Sequence, residues 1–238
     1  LPSFENEISI ATKCGLKWQK VNGKRAKTYV DNSEANLVKE VENSLNRLGL
    51  EQIPILMLHR KDINIHLDES FNCLHKLKEK GLVKHIGVSN HDLNDLRYLS
   101  RNHTLDYASF ELNYLNQDNL DKLEFCKQNN VKVLSYSSLA RGMLTEKFLT
   151  GFRQYEIEDR RSRLPQFREE NYSLYRNKVN KFKELTEKSG LNLPSAALRW
   201  ILDVVECDFS IVGFTNLRQF EKIKKAINNR LPKDIIKD

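Results

Sequence analysis

Apolar residues recur along the chain in two alternating rhythms. Ile53-Pro54-Ile55-Leu56-Met57-Leu58 runs without a polar break and stops at His59. A run of this kind fits a strand covered on both faces, as in a parallel sheet flanked by helices. The next segment carries Leu67, Phe71, Leu74 and Leu77 at helical spacing and ends at Gly81. The same alternation extends over the whole chain. Residues 8–13 predict a strand, and Leu37, Val41, Leu45 and Leu48 a helix that Asp31 or Ser33 caps and Gly49 stops. Residues 83–88 predict a strand running into Ser89-Asn90, then a helix with Leu93, Leu96 and Leu99 that Asn90 or Asp92 caps. A weaker strand at 107–112 precedes a helix with Leu120, Leu123 and Cys126, and a strand at 131–134 leads into Ser135-Tyr136-Ser137-Ser138. After a long connection at 139–165, basic at Arg160, Arg161 and Arg163, two helices are expected at 171–188 and 194–204. A last strand at 209–212 leads through Gly213-Phe214-Thr215-Asn216 into a helix with Leu217, Phe220, Ile223 and Ile227.

Six alternations of strand and helix argue for an α/β fold with a parallel sheet and right-handed crossovers. The pattern alone fits a barrel or an open doubly wound sheet. No G-x-G-x-x-G follows the first strand and no P-loop is present, which weighs against a Rossmann or NTPase reading. Both remaining architectures place their chemistry at the C-terminal ends of strands. That singles out Lys13 and His59. A strand-end histidine is as readily structural, bonded to a neighbouring carbonyl, whereas a lysine closing a buried strand is less readily a plain surface residue.

With 39% hydrophobic and 30% charged residues among 238, the chain can bury a barrel-sized core. No apolar stretch has the length of a transmembrane helix, and residues 1–20 lack the form of a signal peptide. The net charge of +7 is spread over helices where Lys and Glu alternate, so no nucleic-acid or membrane partner is expected. Cys14, Cys73, Cys126 and Cys207 are scattered and form no C-x-x-C, which points to a reducing, cytoplasmic setting with no metal site.

Taken in order, the strand ends resemble the aldo-keto reductase family. The matching segments are Ala11-Thr12-Lys13, Leu58-His59-Arg60, the run from Gly81 through Gly87-Val88-Ser89-Asn90, Tyr136-Ser137-Ser138-Leu139-Ala140-Arg141-Gly142, Ala196-Ala197-Leu198-Arg199-Trp200 and Ile211-Val212-Gly213-Phe214-Thr215-Asn216. The resemblance implies a (β/α)8 TIM barrel, of which about six β/α units lie in residues 1–238 as a single domain. It implies reduction of a small-molecule aldehyde or ketone by hydride from NADPH, or NADH. Lys13 and His59 match the family's catalytic lysine and histidine. Ser89 and Asn90 match the pair that bonds the nicotinamide carboxamide, and Tyr136 the ring that stacks on the nicotinamide. Ser137, Leu139 and Gly142 match the loop that holds the pyrophosphate. Gly213, Thr215 and Gln219 match the segment that receives the adenosine phosphate, where free N–H groups at a helix start also favour an anion.

Several positions depart from the family's pattern. Glu111 stands where glutamine is common near the carboxamide, and an ionised Glu accepts but cannot donate. Ser138 replaces a usual proline, which is expected to loosen the loop. Thr215 stands where Arg is frequent, and Ile223 where an adenine-binding Asn is frequent. The family's first two β/α units, with its catalytic Asp and Tyr, are expected before Leu1. Two further readings stay open: a cofactor-binding pseudoenzyme or regulatory subunit, and a barrel enzyme acting on phosphorylated substrates.

Overall fold

The computed structural model describes residues 8–19 and 27–232. Strand β1 (Ala11–Cys14) is followed by an antiparallel hairpin, β2 (Leu16–Trp18) and β3 (Thr28–Val30), which no alternation in the sequence announces. Then come α1 (Glu34–Leu48), β4 (Ile53–Leu58), α2 (Leu67–Glu79), β5 (Val83–Ser89), α3 (Leu93–Asn102), β6 (Tyr107–Glu111) and α4 (Leu120–Gln128). Strand β7 (Lys132–Tyr136) precedes α5 (Glu146–Leu149), α6 (Glu169–Thr186), α7 (Leu193–Arg199), β8 (Phe209–Ser210) and α8 (Leu217–Lys224). The chain forms two compact units, residues 1–110 with 121–133 and residues 111–120 with 134–238.

In the first unit, β1 pairs with β4, β4 with β5 and β5 with β6, all parallel. Burial of β4 on both faces explains its unbroken apolar run: Ile53, Leu56, Met57 and Leu58 are wholly inaccessible. Leu37 and Val41 of α1 and Phe71 and Leu74 of α2 are equally buried. Gly49 ends α1 in the left-handed conformation, φ 66°, with its N–H on the Leu45 carbonyl, as the sequence predicts. Asp92, not Asn90, caps α3, accepting the Asp95 N–H. Strand β1 begins at Ala11, three residues later than the apolar pattern suggests.

The second unit pairs β7 with β8 in parallel, and β8 is only two residues long. Asn192 caps α7 and Pro194 lies in its first turn. The expected helix at 194–204 changes character at Trp200, becoming a π-helix over Trp200–Val204. Tyr114 packs on Phe182 of α6, with ring centroids 4.2 Å apart.

Gly87 of β5 lies against Tyr107 of β6, and a Cβ on it would sit 2.2 Å from the Tyr107 carbonyl oxygen. Backbone must move to admit one. Gly87→Ala is therefore expected to cost about 1–3 kcal/mol, the usual range for overpacking. A denaturant midpoint unchanged in that variant would contradict the close approach.

Candidate active site

The register of the first unit decides which side chains share a face. Lys13 pairs with Met57, Met57 with Gly87 and Gly87 with Tyr107, so these form one row across four strands. Two residues further on, Ser89 pairs with Ser109, and His59 follows Met57 by the same two steps. Side chains two apart in a strand point to one face. Lys13, His59, Ser89 and Ser109 thus share a face. Cys14 points the other way and is buried, where Glu40 of α1 and Cys73 of α2 act on its thiol. The N–H of His59 bonds to the Cys14 carbonyl at 2.9 Å, which continues the β1–β4 ladder one residue past β4.

Lys13 and His59 are both half-buried, and the Lys13 charge acts on His59. Burial pushes the Lys13 ammonium below its ordinary value. Burial also lowers the His59 imidazole, and the positive charges of Lys13 and Arg60 lower it further. His59 is held neutral at physiological pH, so one ring N–H can donate to a carbonyl oxygen while Lys13 carries the charge.

Ser89 is buried and Asn90 lies at φ 62°. The Asn90 N–H bonds to the Ser109 carbonyl, and its Nδ2 donates to the His59 carbonyl at 3.1 Å and to Ser89 Oγ at 3.0 Å. The Asn90 amide is thereby tied to the ends of both β4 and β5. His91 anchors the same turn, its Nδ1 donating to the Ser89 carbonyl at 3.0 Å.

Burial lowers the pKa of His75 and His91 as it does that of His59. The unfolded chain takes up protons below about pH 6.5 while these three rings stay neutral in the fold. Native stability is expected to fall as pH drops through that range. Thermal unfolding followed from about pH 7.5 to 5.5 checks this, and a melting temperature constant over the interval would contradict it.

The second unit contains a cavity of about 770 Å³ lined by Tyr136, Ser137, Leu139, Gly142, Gly213, Thr215 and Gln219 among others. Every second-unit residue that the sequence assigned to a cofactor, save Glu111, is on its wall. A Cβ at Gly213 would meet nothing within 4 Å, so that wall is open. The turn leading into it is strained. Ser137, Ala140 and Arg141 have φ of 55°, 46° and 55°, each costing about 1–3 kcal/mol.

Glu111 is ion-paired with Arg141, Nη2 to Oε2 at 3.3 Å, both side chains about three-quarters buried. The carboxylate that replaces the common glutamine is thereby matched by a cation of the turn. Ser138 does not loosen the loop as the sequence suggested. It is buried, and its hydroxyl donates to the Ile211 carbonyl at 2.8 Å. At the start of α8, Thr215 directs both its N–H and its hydroxyl to Gln219 Oε1, and Asn216 Oδ1 caps the Gln219 N–H. Those donors are engaged within the chain; cations on the cavity wall include Arg161 and Arg218.

Sequence reasoning missed Asn113, His91 and the Glu111–Arg141 pair. Nothing in a lone strand-end asparagine, or in two charges 30 residues apart, marks them as neighbours.

The family model for the aldo/keto reductase family matches residues 2–238. The chain belongs to that family. Among curated relatives, the aldo-keto reductase YhdN of Bacillus subtilis (strain 168) is 29% identical over 240 residues, covering 97% of this chain and 70% of its own length. The NADH-specific methylglyoxal reductase of Escherichia coli (strain K12) is 26% identical over 234 residues, covering 94% of this chain and 71% of its own. Among solved structures, the glycerol dehydrogenase AKR11B4 from Gluconobacter oxydans superposes with a TM-score of 0.89 at 30% identity, over 99% of this chain and 72% of its own. As an aldo-keto reductase, the protein is an NAD(P)H-dependent oxidoreductase acting on carbonyl compounds, and its fold class is the (β/α)8 barrel. Among the described residues no helix is long and apolar enough to cross a membrane, and no metal-binding cluster occurs.

Proposed function

We propose that Lys13 and His59 act directly on the carbonyl group of a small-molecule aldehyde or ketone. The observation that carries this is their shared face, with an imidazole kept neutral beside a half-buried ammonium. A dinucleotide held by the proposed cofactor residues would supply the hydride. As that hydride arrives the carbonyl oxygen gains negative charge, which the Lys13 ammonium stabilises and the His59 N–H orients, and uptake of one proton at that oxygen completes the alcohol.

The proposed cofactor residues fall into two sets, one in each unit. Ser89 and Asn90 are the pair for the nicotinamide carboxamide. In the second unit Tyr136 offers its ring to the nicotinamide, Ser137, Leu139 and Gly142 line the pyrophosphate position, and Gly213, Thr215 and Gln219 the adenosine end. The size of the 770 Å³ cavity and the cations on its wall suit such an anion. Glu111 is tied to Arg141, whose own side chain lines the cavity.

Both NADPH and NADH are accepted in this reading, with modest preference. A relative from Escherichia coli is named NADH-specific and one from Schizosaccharomyces pombe (strain 972 / ATCC 24843), yakc, is named for NADP(+). Thr215 lacks the charge that would separate the two, and one charge-assisted bond to phosphate is worth about 1.5–3 kcal/mol. The four cysteines are buried free thiols, which suits a cytoplasmic protein.

Titration by quenching of protein fluorescence is expected to give micromolar affinity for each nucleotide, about −8 kcal/mol. No change with either nucleotide at millimolar concentration would end this reading. Binding of both without turnover of any reactive aldehyde would favour a cofactor-binding regulatory role.

A further inference from the structure

We propose that Ser138 and Asn113 are positioning residues that hold the strained 137–141 turn in the shape that receives the dinucleotide's diphosphate. This rests on the reading of the second-unit cavity as the dinucleotide site. Six non-glycine residues with positive φ occur among the described residues, and three of them, Ser137, Ala140 and Arg141, fall within these five positions. Gly142 follows at φ 99°. Backbone in this region persists only where its surroundings over-determine it, and such clusters are typical of ligand clamps.

The surroundings here are specific side chains. Asn113 is 1% exposed, and its Nδ2 donates to the carbonyl of Ser137, the first strained residue. Its own Oδ1 accepts the N–H groups of Leu115 and Asn116, so the amide cannot rotate away. Ser138 is 1% exposed, and its hydroxyl donates to the Ile211 carbonyl and accepts from Ser210 Oγ, both at 2.8 Å. That bond sets the spacing between the turn and the segment that leads to Gly213. Proline, which the family resemblance expects at Ser138, has no hydroxyl with which to make it. The turn is thus pinned from two directions by buried groups.

The test compares the natural protein with Ser138→Ala, Asn113→Ala and the double variant, titrating NADH and NADPH by fluorescence quenching and recording thermal unfolding alongside. Each single change is expected to weaken both nucleotides alike by about tenfold, which is about 1.4 kcal/mol, and the double variant more. In steady-state kinetics the loss should fall on the KM for the nucleotide rather than on kcat. Unchanged dissociation constants with a lowered melting temperature would overturn the proposal, because the two residues would then be structural only. A loss confined to NADPH would also overturn it, since the adenosine phosphate and not the diphosphate would be concerned. Should Asn113→Ala fail to fold, Ser138→Ala, which removes one oxygen atom, decides the matter alone. If the natural protein binds neither nucleotide, the reading of the cavity falls with the proposal. If it binds both and the variants match it, only the proposal falls.

Discussion

Replacing Lys13 by methionine is expected to lower carbonyl turnover about 10²–10³-fold, the usual effect of removing one preorganised charge-stabilising group. The same change is expected to raise the melting temperature. Both expectations come from one fact: the Lys13 ammonium is half-buried, and desolvation by burial is what displaces its pKa, downward. A lysine whose folded pKa is depressed makes folding less favourable while it stays charged, because the unfolded chain holds that proton more readily. The pKa of His59 is lowered by the same charge, so the substitution should also let the imidazole protonate at a higher pH. Methionine keeps an unbranched side chain but lacks the terminal ammonium, its charge and its N–H donors. The measurement is kcat in the natural protein with a reactive aromatic aldehyde, together with thermal unfolding. Undiminished turnover would remove Lys13 from the reaction. A lower melting temperature would mean that the ammonium contributes to stability, contrary to the desolvation argument.

Much of this arrangement is legible in the sequence, for identifiable reasons. The β4 run Ile53–Leu58 is readable because burial on both faces leaves no polar position to confuse the pattern. His59 is readable because a polar residue that ends such a run stands out, whereas Lys13 lies one residue inside a half-exposed β1 that runs on to Cys14. Gly49 is readable because caps act through short-range geometry, and the same reasoning narrows the α3 cap to Asn90 or Asp92, of which Asp92 is the one used. What escapes is whatever depends on contacts between distant segments. Ser138 looks like a lost proline in the sequence, yet its hydroxyl meets a carbonyl 73 residues away. Glu111 looks like a misplaced charge until Arg141 is found beside it. The hairpin β2–β3 is only three residues on each side, too short for a period to emerge. The π-helix at Trp200–Val204 has the same apolar content as the α-helix that the pattern suggests, so composition cannot distinguish them.

That π-helix carries the change expected to cost most in stability. Asp203 lies within it and is 8% exposed; it accepts from Arg199 Nε at 2.7 Å, from Arg230 Nη1 at 3.0 Å and from the Leu231 N–H at 2.8 Å. Burial alone would raise the pKa of this carboxyl, but the bonds from Arg199, Leu231 and Arg230 outweigh it and hold the pKa below the ordinary value. The charge is therefore present throughout the physiological range, and its contribution to stability is lost only as pH falls below about 4. Arg199 is itself 5% exposed. Asp203→Ala leaves that guanidinium buried without its counter-charge and strips the Leu231 N–H of its acceptor. Breaking a buried pair in this way costs about 3–5 kcal/mol. For a chain of this size, that corresponds to a fall of roughly 6–20 °C in melting temperature. Replacing both partners together, Arg199→Met with Asp203→Leu, should recover most of the loss, because no charge is then stranded. Equal destabilisation in the single and double variants would show that the packing around Trp200, and not the ion pair, sustains this end of the second unit.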